Sequence, residues 1–250
     1  MQGEYRRDHS AALGREMECK VFGSSGKVCL AFPPQNGRFF DFEDNGMVEV
    51  VEPWIATGRL QLVLVDSIDA ETWSDTGGDY HSRIERHEQW FSYVVDELLP
   101  GVEADNPSYA SGDETKAMTT GCSMGGFHAA NSFFRRPDLF DATISLSGIY
   151  TADFFFPHYN DPTIYENSPE DFLANMPEDH PYMALYRKSS IVLCVGQGAW
   201  EDDMLASTHR MEDVLARKGI PAWVDYWGHD VNHDWPWWQK QLPYFMGYLL

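Results

Sequence analysis

The chain has 250 residues, of which 43% are hydrophobic and 14% aromatic, so it is long enough to bury one sizeable core. Its formal net charge of −21 at pH 7 argues against binding nucleic acid or an anionic membrane, because phosphate contacts require clustered Lys and Arg. No apolar run approaches the roughly 18 residues that a membrane span needs. The acidity predicts a strongly solvated surface, with adaptation to high salt as the alternative explanation.

The first ten residues, Met1–Ser10, carry charges and no apolar stretch follows them, so we expect no signal peptide and a cytoplasmic location. The four cysteines have no paired spacing and no C-x-x-C motif: Cys19, Cys29, Cys122 and Cys194. Most of them lie in or beside β-like apolar runs, where a reduced cysteine behaves as a small hydrophobic residue. The sequence therefore favours neither disulfides nor a zinc site.

Short β-branched runs alternate with longer helical stretches along the chain. The predicted strands are Glu18–Phe22, Lys27–Phe32, Leu60–Asp66, Ala117–Cys122, Ala142–Ser147, Ile191–Val195 and Ala222–Trp227. The predicted helices are Ser82–Leu99, Phe127–Phe134, Met204–Arg217 and a last helix that begins near Asp234. Several strands are apolar on both faces, as in a parallel sheet covered by helices on each side. The pattern predicts a doubly wound α/β sheet in one domain over residues 1–250.

The aromatic segment Tyr150–Ser190 is an excursion between two predicted core strands. Its rings either form the wall of a substrate pocket beside the site or simply pack as a small cap over the sheet. The helix Ser82–Leu99 is expected to end before Pro100, since proline interrupts the helical hydrogen-bond ladder.

The strongest chemical signal is the run Gly121-Cys122-Ser123-Met124-Gly125-Gly126, which follows a predicted strand and precedes a predicted helix. This is the context of a nucleophile elbow, a sharp turn that holds a serine in a strained conformation with its hydroxyl exposed above the sheet. Bulky side chains two residues to either side would collide with the strand or the helix, which explains the two glycines. We expect Ser123 to be the nucleophile and the Met124 amide to be one oxyanion donor.

A serine hydroxyl needs a base, and the base needs an orienting carboxylate. In a fold with this elbow, the acid and then the histidine follow the serine, each in a loop after a strand. Carboxylates follow one predicted strand and histidines follow the next: Glu201, Asp202 and Asp203, then His229 and His233. The order of the three groups is satisfied, while the choice among neighbouring residues stays open.

The same loop could be interpreted as a metal site formed by His229, Asp230, His233 and Asp234, because histidines at i and i+4 of a helix share one face. These residues lie before the helix start at Asp234-Trp235-Pro236, where that spacing loses its meaning. We therefore expect no metal, and the predicted chemistry requires no cofactor.

The chain resembles the putative esterases of the esterase D type, an α/β-hydrolase group that includes S-formylglutathione hydrolases, feruloyl and acetyl xylan esterases, and mycolyltransferases. The resemblance covers nearly the whole chain. The matching segments are Phe32–Phe39, Glu43–Met47, Val65–Ser67, Gly121–Gly126, Arg135–Phe140, Leu146–Gly148 and His233–Trp238. It implies an α/β-hydrolase fold with a mostly parallel sheet flanked by helices.

The resemblance also implies roles for particular residues. The family histidine precedes an Asp-Trp pair, which here selects His233. The family acid, counted back from the stretch Leu215–Ile220, falls on Asp202, although the longer loop Gly196–Asp203 leaves Glu201 as the alternative. The second oxyanion amide comes from the loop after the early strand, where Gln35 or Asn36 matches without the usual His-Gly-Gly pattern.

These observations predict a serine esterase that hydrolyses a small-molecule or carbohydrate-linked carboxylic ester through an acyl-enzyme. Two other functions fit the same residues. One is acyl transfer to an alcohol acceptor, as in the mycolyltransferase relatives, and the other is a binding protein that keeps the fold without catalysis.

Overall fold

Eight strands form one sheet in the computed structural model, which describes residues 1–250. The strands are β1 (Glu4–Ser10), β2 (Arg15–Phe22), β3 (Lys27–Phe32), β4 (Leu60–Val65), β5 (Ala117–Cys122), β6 (Phe140–Leu146), β7 (Ser190–Val195) and β8 (Trp223–Tyr226). Their order across the sheet is β1-β2-β4-β3-β5-β6-β7-β8. Strand β2 pairs antiparallel with β1 and β4, and every other neighbouring pair is parallel.

Helices cover both faces of this sheet. They are α1 (Asp41–Asp44), α2 (Glu52–Ala56), α3 (Tyr80–Ser92), α4 (Leu99–Ala104), α5 (Pro107–Ser111), α6 (Met124–Arg135), α7 (Pro162–Glu166), α8 (Pro169–Asn175), α9 (Pro181–Tyr186), α10 (Asp202–Arg217) and α11 (Trp235–Leu249). None of them has the length and apolar character to cross a membrane. The mostly parallel, doubly covered sheet confirms the predicted fold class.

The side chains of β3 show how the sheet divides the core. Val28, Leu30 and Phe32 join the larger buried cluster, to which α3, α6 and α10 contribute. Cys29 and Ala31 point to the opposite face and join the smaller cluster with residues of α1, α2 and α11. Both faces of β3 are therefore shielded from solvent, which explains why its sequence is apolar from Val28 to Phe32.

The helix that begins at Tyr80 continues past the proline at which the sequence predicted its end. After α3 the backbone forms a π-helix over Tyr93–Leu98 and then α4, which has Pro100 in its first turn. A proline is tolerated in the first turn of a helix because its missing N–H is not needed there. The change of hydrogen-bond pattern at Leu99 creates such a first turn, so the prediction of an end before Pro100 was wrong.

A buried histidine on α3 lies in a polar network between the sheet and the 150–190 segment. His87 is 1% exposed, and its Nδ1 accepts a hydrogen bond from Trp73 Nε1 at 2.9 Å. Its Nε2 therefore carries the proton and donates to Asn167 Oδ1 at 3.1 Å. Burial lowers the pKa of His87 well below its ordinary value, so the ring is neutral in the folded protein near neutral pH.

His87 should make the protein less stable below about pH 6.5. In that range the unfolded chain binds a proton at this residue and the folded chain does not, so the free energy of unfolding decreases as pH falls. Between pH 7.5 and pH 5 the loss from one such histidine is about 2 kcal/mol. Urea unfolding of the wild type and His87→Gln should therefore show a stability difference that shrinks by this amount at the lower pH.

His209→Gln is the matched control, because His209 lies exposed on α10. A loss of the same size in His209→Gln would show that the effect is not specific to the buried ring. Parallel pH profiles for the wild type and His87→Gln would contradict the assignment of a neutral buried His87.

Candidate active site

Ser123 lies in a tight turn between β5 and α6. Its backbone has φ +59° and ψ −123°, a left-handed conformation that is costly for a residue with a side chain. The Ser123 amide donates to the carbonyl of Leu146 at 2.8 Å, which fixes the turn against the end of β6. The structure thus places Ser123 in the strand–turn–helix context that the sequence predicted.

The glycines on either side of Ser123 are required by close backbone approaches. A Cβ on Gly121 would lie 2.1 Å from the carbonyl oxygen of Gly125. A Cβ on Gly125 would lie 2.1 Å from the carbonyl oxygen of Phe32, the last residue of β3. Because β3 and β5 are neighbours in the sheet, this second contact brings the loop after β3 directly beside the serine.

Ser123 and His233 line the same cavity, which has a volume of about 250 Å³. The other lining residues are Gln35, Met124, Phe127, Ser147, Ile149, Phe154, Phe155, Trp200, Asp203 and Met204. No hydrogen bond joins the Ser123 hydroxyl to His233 in this structure, and hydrogen bonds of this kind often tighten only when substrate binds.

His233 is held at the cavity by hydrogen bonds between the loops that follow β7 and β8. Its amide donates to the carbonyl of Ala199 at 3.0 Å, and Asn232 Oδ1 accepts from the Ala199 amide at 2.8 Å. The ring packs edge-on against Trp238 of α11, with centroids 5.0 Å apart. The other candidate histidine, His229, is exposed and does not line the cavity.

Glu201, and not Asp202, is the carboxylate that contacts His233. Glu201 Oε2 lies 3.2 Å from His233 Nδ1, and Glu201 is 1% exposed. Asp202 is the first residue of α10 and is exposed, as is Asp203. The expected pairing of Asp202 with the histidine is therefore not formed, because the helix begins at Asp202 and directs the residue before it inward.

Two further residues support Glu201, and the sequence reasoning did not single them out. Ser147 donates from its hydroxyl to Glu201 Oε1 at 2.7 Å, and Trp238 Nε1 donates to the Ser147 oxygen at 3.1 Å. Ser147 is fully buried and has φ +52°. The only sequence signal for it was the Leu146-Ser147-Gly148 match, because left-handed geometry at a serine has no reliable sequence pattern.

The two expected oxyanion donors both lie at the cavity. Met124 begins α6, so its amide has no acceptor within the helix. In the loop after β3, the Asn36 amide donates to Asp69 Oδ2 at 3.2 Å, whereas the Gln35 amide has no acceptor within the protein. Of the two alternatives left by the sequence, Gln35 therefore has the free N–H.

The thiol beside the serine does not compete with it as a nucleophile. Cys122 is fully buried, and burial raises the pKa of its thiol well above the ordinary value. Its reactive thiolate form is therefore suppressed. The hydroxyl of Ser123 is the nucleophilic group that opens onto the cavity.

Comparison with known proteins gives one family and several similar structures. The family model described as Putative esterase matches residues 35–249. No curated protein sequence matches this chain.

Among solved structures, a ferulic acid esterase is 17% identical, with a TM-score of 0.72 over 99% of this chain and 97% of that chain. The fluorophosphonate-binding serine hydrolase F of Staphylococcus aureus is 15% identical, with a TM-score of 0.66 over 100% and 99% of the two chains. An S-formylglutathione hydrolase from Agrobacterium tumefaciens is 14% identical, with a TM-score of 0.72 over 98% and 93%. At these identities the likeness establishes the shared fold.

Gly121→Ala should destabilise the protein strongly, since its methyl group would lie 2.1 Å from a backbone carbonyl that cannot rotate away. We expect the free energy of unfolding to fall by about 3 kcal/mol or more, measured by urea denaturation. Gly101→Ala is the control, because Gly101 lies in α4 with nothing within 4 Å of the added methyl. That variant should gain about 0.5–1 kcal/mol, and equal effects of the two substitutions would contradict the packing argument.

Proposed function

The chain belongs to the Putative esterase family and is an ester hydrolase, and we propose that Ser123, His233 and Glu201 are its catalytic triad. The observation that carries this proposal is the contact of the buried Glu201 carboxylate with His233 Nδ1, at a cavity that also contains Ser123. A carboxylate on Nδ1 selects the tautomer whose Nε2 is free to accept a proton.

In the proposed first step, the Ser123 oxygen attacks the ester carbonyl carbon while His233 Nε2 takes its proton. Glu201 orients the imidazole and stabilises the imidazolium that forms. When the tetrahedral intermediate collapses, the bond to the alcohol oxygen breaks and His233 returns the proton to that oxygen. The alcohol leaves, and the acyl group stays on Ser123.

The negative charge that develops on the carbonyl oxygen needs donors that are already in place. The amides of Met124 and Gln35 are suited to this role, because both residues line the cavity and their amides have no acceptor in the helix or in the loop. The N-terminus of α6 adds a favourable partial charge at the same point.

In the second half of the reaction, water replaces the alcohol. His233 takes a proton from water as its oxygen attacks the acyl carbon, and then returns the proton to the Ser123 oxygen as the acyl bond breaks. The products are a carboxylic acid and the regenerated enzyme.

The triad is tested by three substitutions assayed with 4-nitrophenyl acetate. Ser123→Ala should abolish turnover above background, since the other hydroxyl in the lining, that of Ser147, is fully buried and donates to Glu201. Glu201→Gln should lower kcat by about 10²- to 10⁴-fold, because the amide no longer enforces the tautomer or stabilises the imidazolium. The matched control Asp202→Asn, one residue further along the chain, should keep kcat within about threefold of the wild type.

A fluorophosphonate probe gives an independent readout, because it labels only an activated serine. The wild type should label quickly, Glu201→Gln slowly and Ser123→Ala not at all. Full turnover in Ser123→Ala would overturn the proposed nucleophile. A loss confined to Asp202→Asn would instead restore Asp202 as the acid.

The cavity lining favours an uncharged ester. Seven of its 12 lining residues are hydrophobic, and none is Lys or Arg. Apart from His233, the only titratable side chain in the lining is the exposed carboxylate of Asp203. We infer a substrate with an apolar or aromatic acyl group, closer to the ester of a ferulic acid esterase than to a thioester that carries free carboxylates.

A matched pair of acyl groups tests this charge preference. The butyrate and hemisuccinate esters of 4-nitrophenol have acyl chains of equal length and differ by one carboxylate at the end. We expect kcat/KM to be higher for the butyrate, with the Ser123→Ala rate subtracted as background. Asp203→Asn should lower the ratio of the kcat/KM values for the butyrate and the hemisuccinate about fivefold at low salt. The substitution removes the repulsion between the Asp203 carboxylate and the carboxylate of the hemisuccinate.

Asp202→Asn controls for the change in total charge, since Asp202 is exposed but does not line the cavity. It should leave the ratio of the two kcat/KM values nearly unchanged. An equal or greater rate with the hemisuccinate would contradict an uncharged substrate.

A further inference from the structure

A second buried carboxylate lies behind the loop that carries the free Gln35 amide. Asp69 follows β4 and is 2% exposed. Its Oδ2 accepts the Asn36 amide at 3.2 Å, and its Oδ1 accepts His128 Nε2 at 2.8 Å. His128 is 1% exposed and belongs to α6, the helix that begins directly after Ser123. One carboxylate therefore connects the loop after β3 with the helix behind the serine.

The loop held by Asp69 is a strained turn. Asn36 has φ +58°, and the Gly37 amide donates to the carbonyl of Pro34 at 2.8 Å, which closes the turn around Gln35 and Asn36. Asn36 has no intrinsic preference strong enough to fix this conformation. Its hydrogen bond to Asp69 supplies an external constraint on the peptide that follows Gln35.

Residues 69–74 also hold the turn through the side chain of Gln35. Gln35 Nε2 donates to the Ser74 hydroxyl at 2.8 Å, and the Ser74 amide donates to the carbonyl of Asp69 at 2.8 Å. Both the side chain of Gln35 and the backbone after it are thus tied to residues 69–74. This arrangement fixes the direction in which the Gln35 N–H points.

Burying this carboxylate–histidine pair is costly, and its surroundings do not fully offset the cost. His128 lies among aromatic rings, with its centroid 4.9 Å from that of Trp90, and its Nδ1 has no hydrogen-bond partner. An apolar pair of similar volume would pack in such a place without leaving a polar atom unsatisfied. A contribution to stability alone therefore does not account for the presence of Asp69 and His128 at this place.

We infer that Asp69, held by His128, is a positioning residue that fixes the Gln35 amide as the second oxyanion donor. This inference rests on the proposed function. Asp69 is not among the residues that line the cavity. It acts by keeping the Asn36 peptide in its strained conformation, so that the preceding N–H stays aimed at the cavity as charge develops.

Loss of this constraint should weaken transition-state stabilisation and leave substrate binding largely intact. In Asp69→Ala we expect kcat for 4-nitrophenyl acetate to fall about 10- to 100-fold, with KM within about threefold of the wild type. The inhibition constant of an alkyl boronic acid, which forms a tetrahedral anion on Ser123, should rise by about the same factor as kcat/KM falls.

Two variants separate positioning from a loss of folding. Asp69→Asn keeps an acceptor for the Asn36 amide and should recover kcat to within about fivefold of the wild type. Asp69→Ser keeps a polar atom in the buried site but is too short to replace the carboxylate, so it should show the loss seen with alanine. It replaces Asp69→Ala if that variant does not fold, as judged by thermal unfolding.

The matched control is Asp66→Asn, which alters another buried carboxylate after β4. Asp66 is 6% exposed and accepts from Arg38 Nε at 2.7 Å, without a contact to Gln35 or Asn36. It should change kcat by less than about threefold, even where it lowers the melting temperature.

The inference is overturned if folded Asp69→Ala or Asp69→Ser keeps wild-type kcat and boronate affinity. It is also overturned if kcat falls equally in Asp66→Asn, or if the loss lies in KM alone. Failure of the proposed function would be seen differently, as an inactive wild type or an active Ser123→Ala, before any Asp69 variant is compared.

Discussion

Three backbone segments meet around Ser123 more closely than any side chain would allow, and the rest of the site depends on that approach. The carbonyl of Gly125 passes over Gly121, and the carbonyl of Phe32 passes over Gly125. The first contact forces the serine into its left-handed conformation, and the second brings the end of β3 against the start of α6. Ser123 and two residues with free amides, Met124 and Gln35, thereby line one cavity.

Two buried carboxylates, Glu201 and Asp69, then hold groups of the site in place. Glu201 is held by Ser147 and faces His233 on one side of the cavity. Asp69 lies behind the loop after β3, between the Asn36 amide and His128. A buried carboxylate is stable only when donors surround it, so each one restricts the groups that donate to it. Glu201 contacts His233, the proposed base. Asp69 accepts from the amide of Asn36, the residue that follows the proposed oxyanion donor Gln35.

The sequence predicted the parts of this arrangement that depend on local pattern. Alternating strands and helices, the glycines around Ser123 and the His-Asp-Trp run are all visible in the chain. The edge strand Glu4–Ser10 was not predicted, because it is polar on both faces and pairs only with β2. The sequence also could not select Glu201 over Asp202, since that choice depends on the residue at which α10 begins and on hydrogen bonds between two distant loops. Asp69 could not be identified from the sequence for the same reason, because its hydrogen-bond partners Asn36 and His128 lie 33 and 59 residues away along the chain.

The negative charge of the chain affects the reaction through the charge of the product. Ester hydrolysis converts a neutral group into a carboxylate, so the product carries a charge that the substrate lacks. Asp203 at the cavity and the net charge of −21 both act on that new charge and hardly on the ester. Their repulsion favours release of the acid over its retention, whereas the apolar lining favours entry of the ester. The acidity of the chain thus gives the cavity a preference for substrate over product.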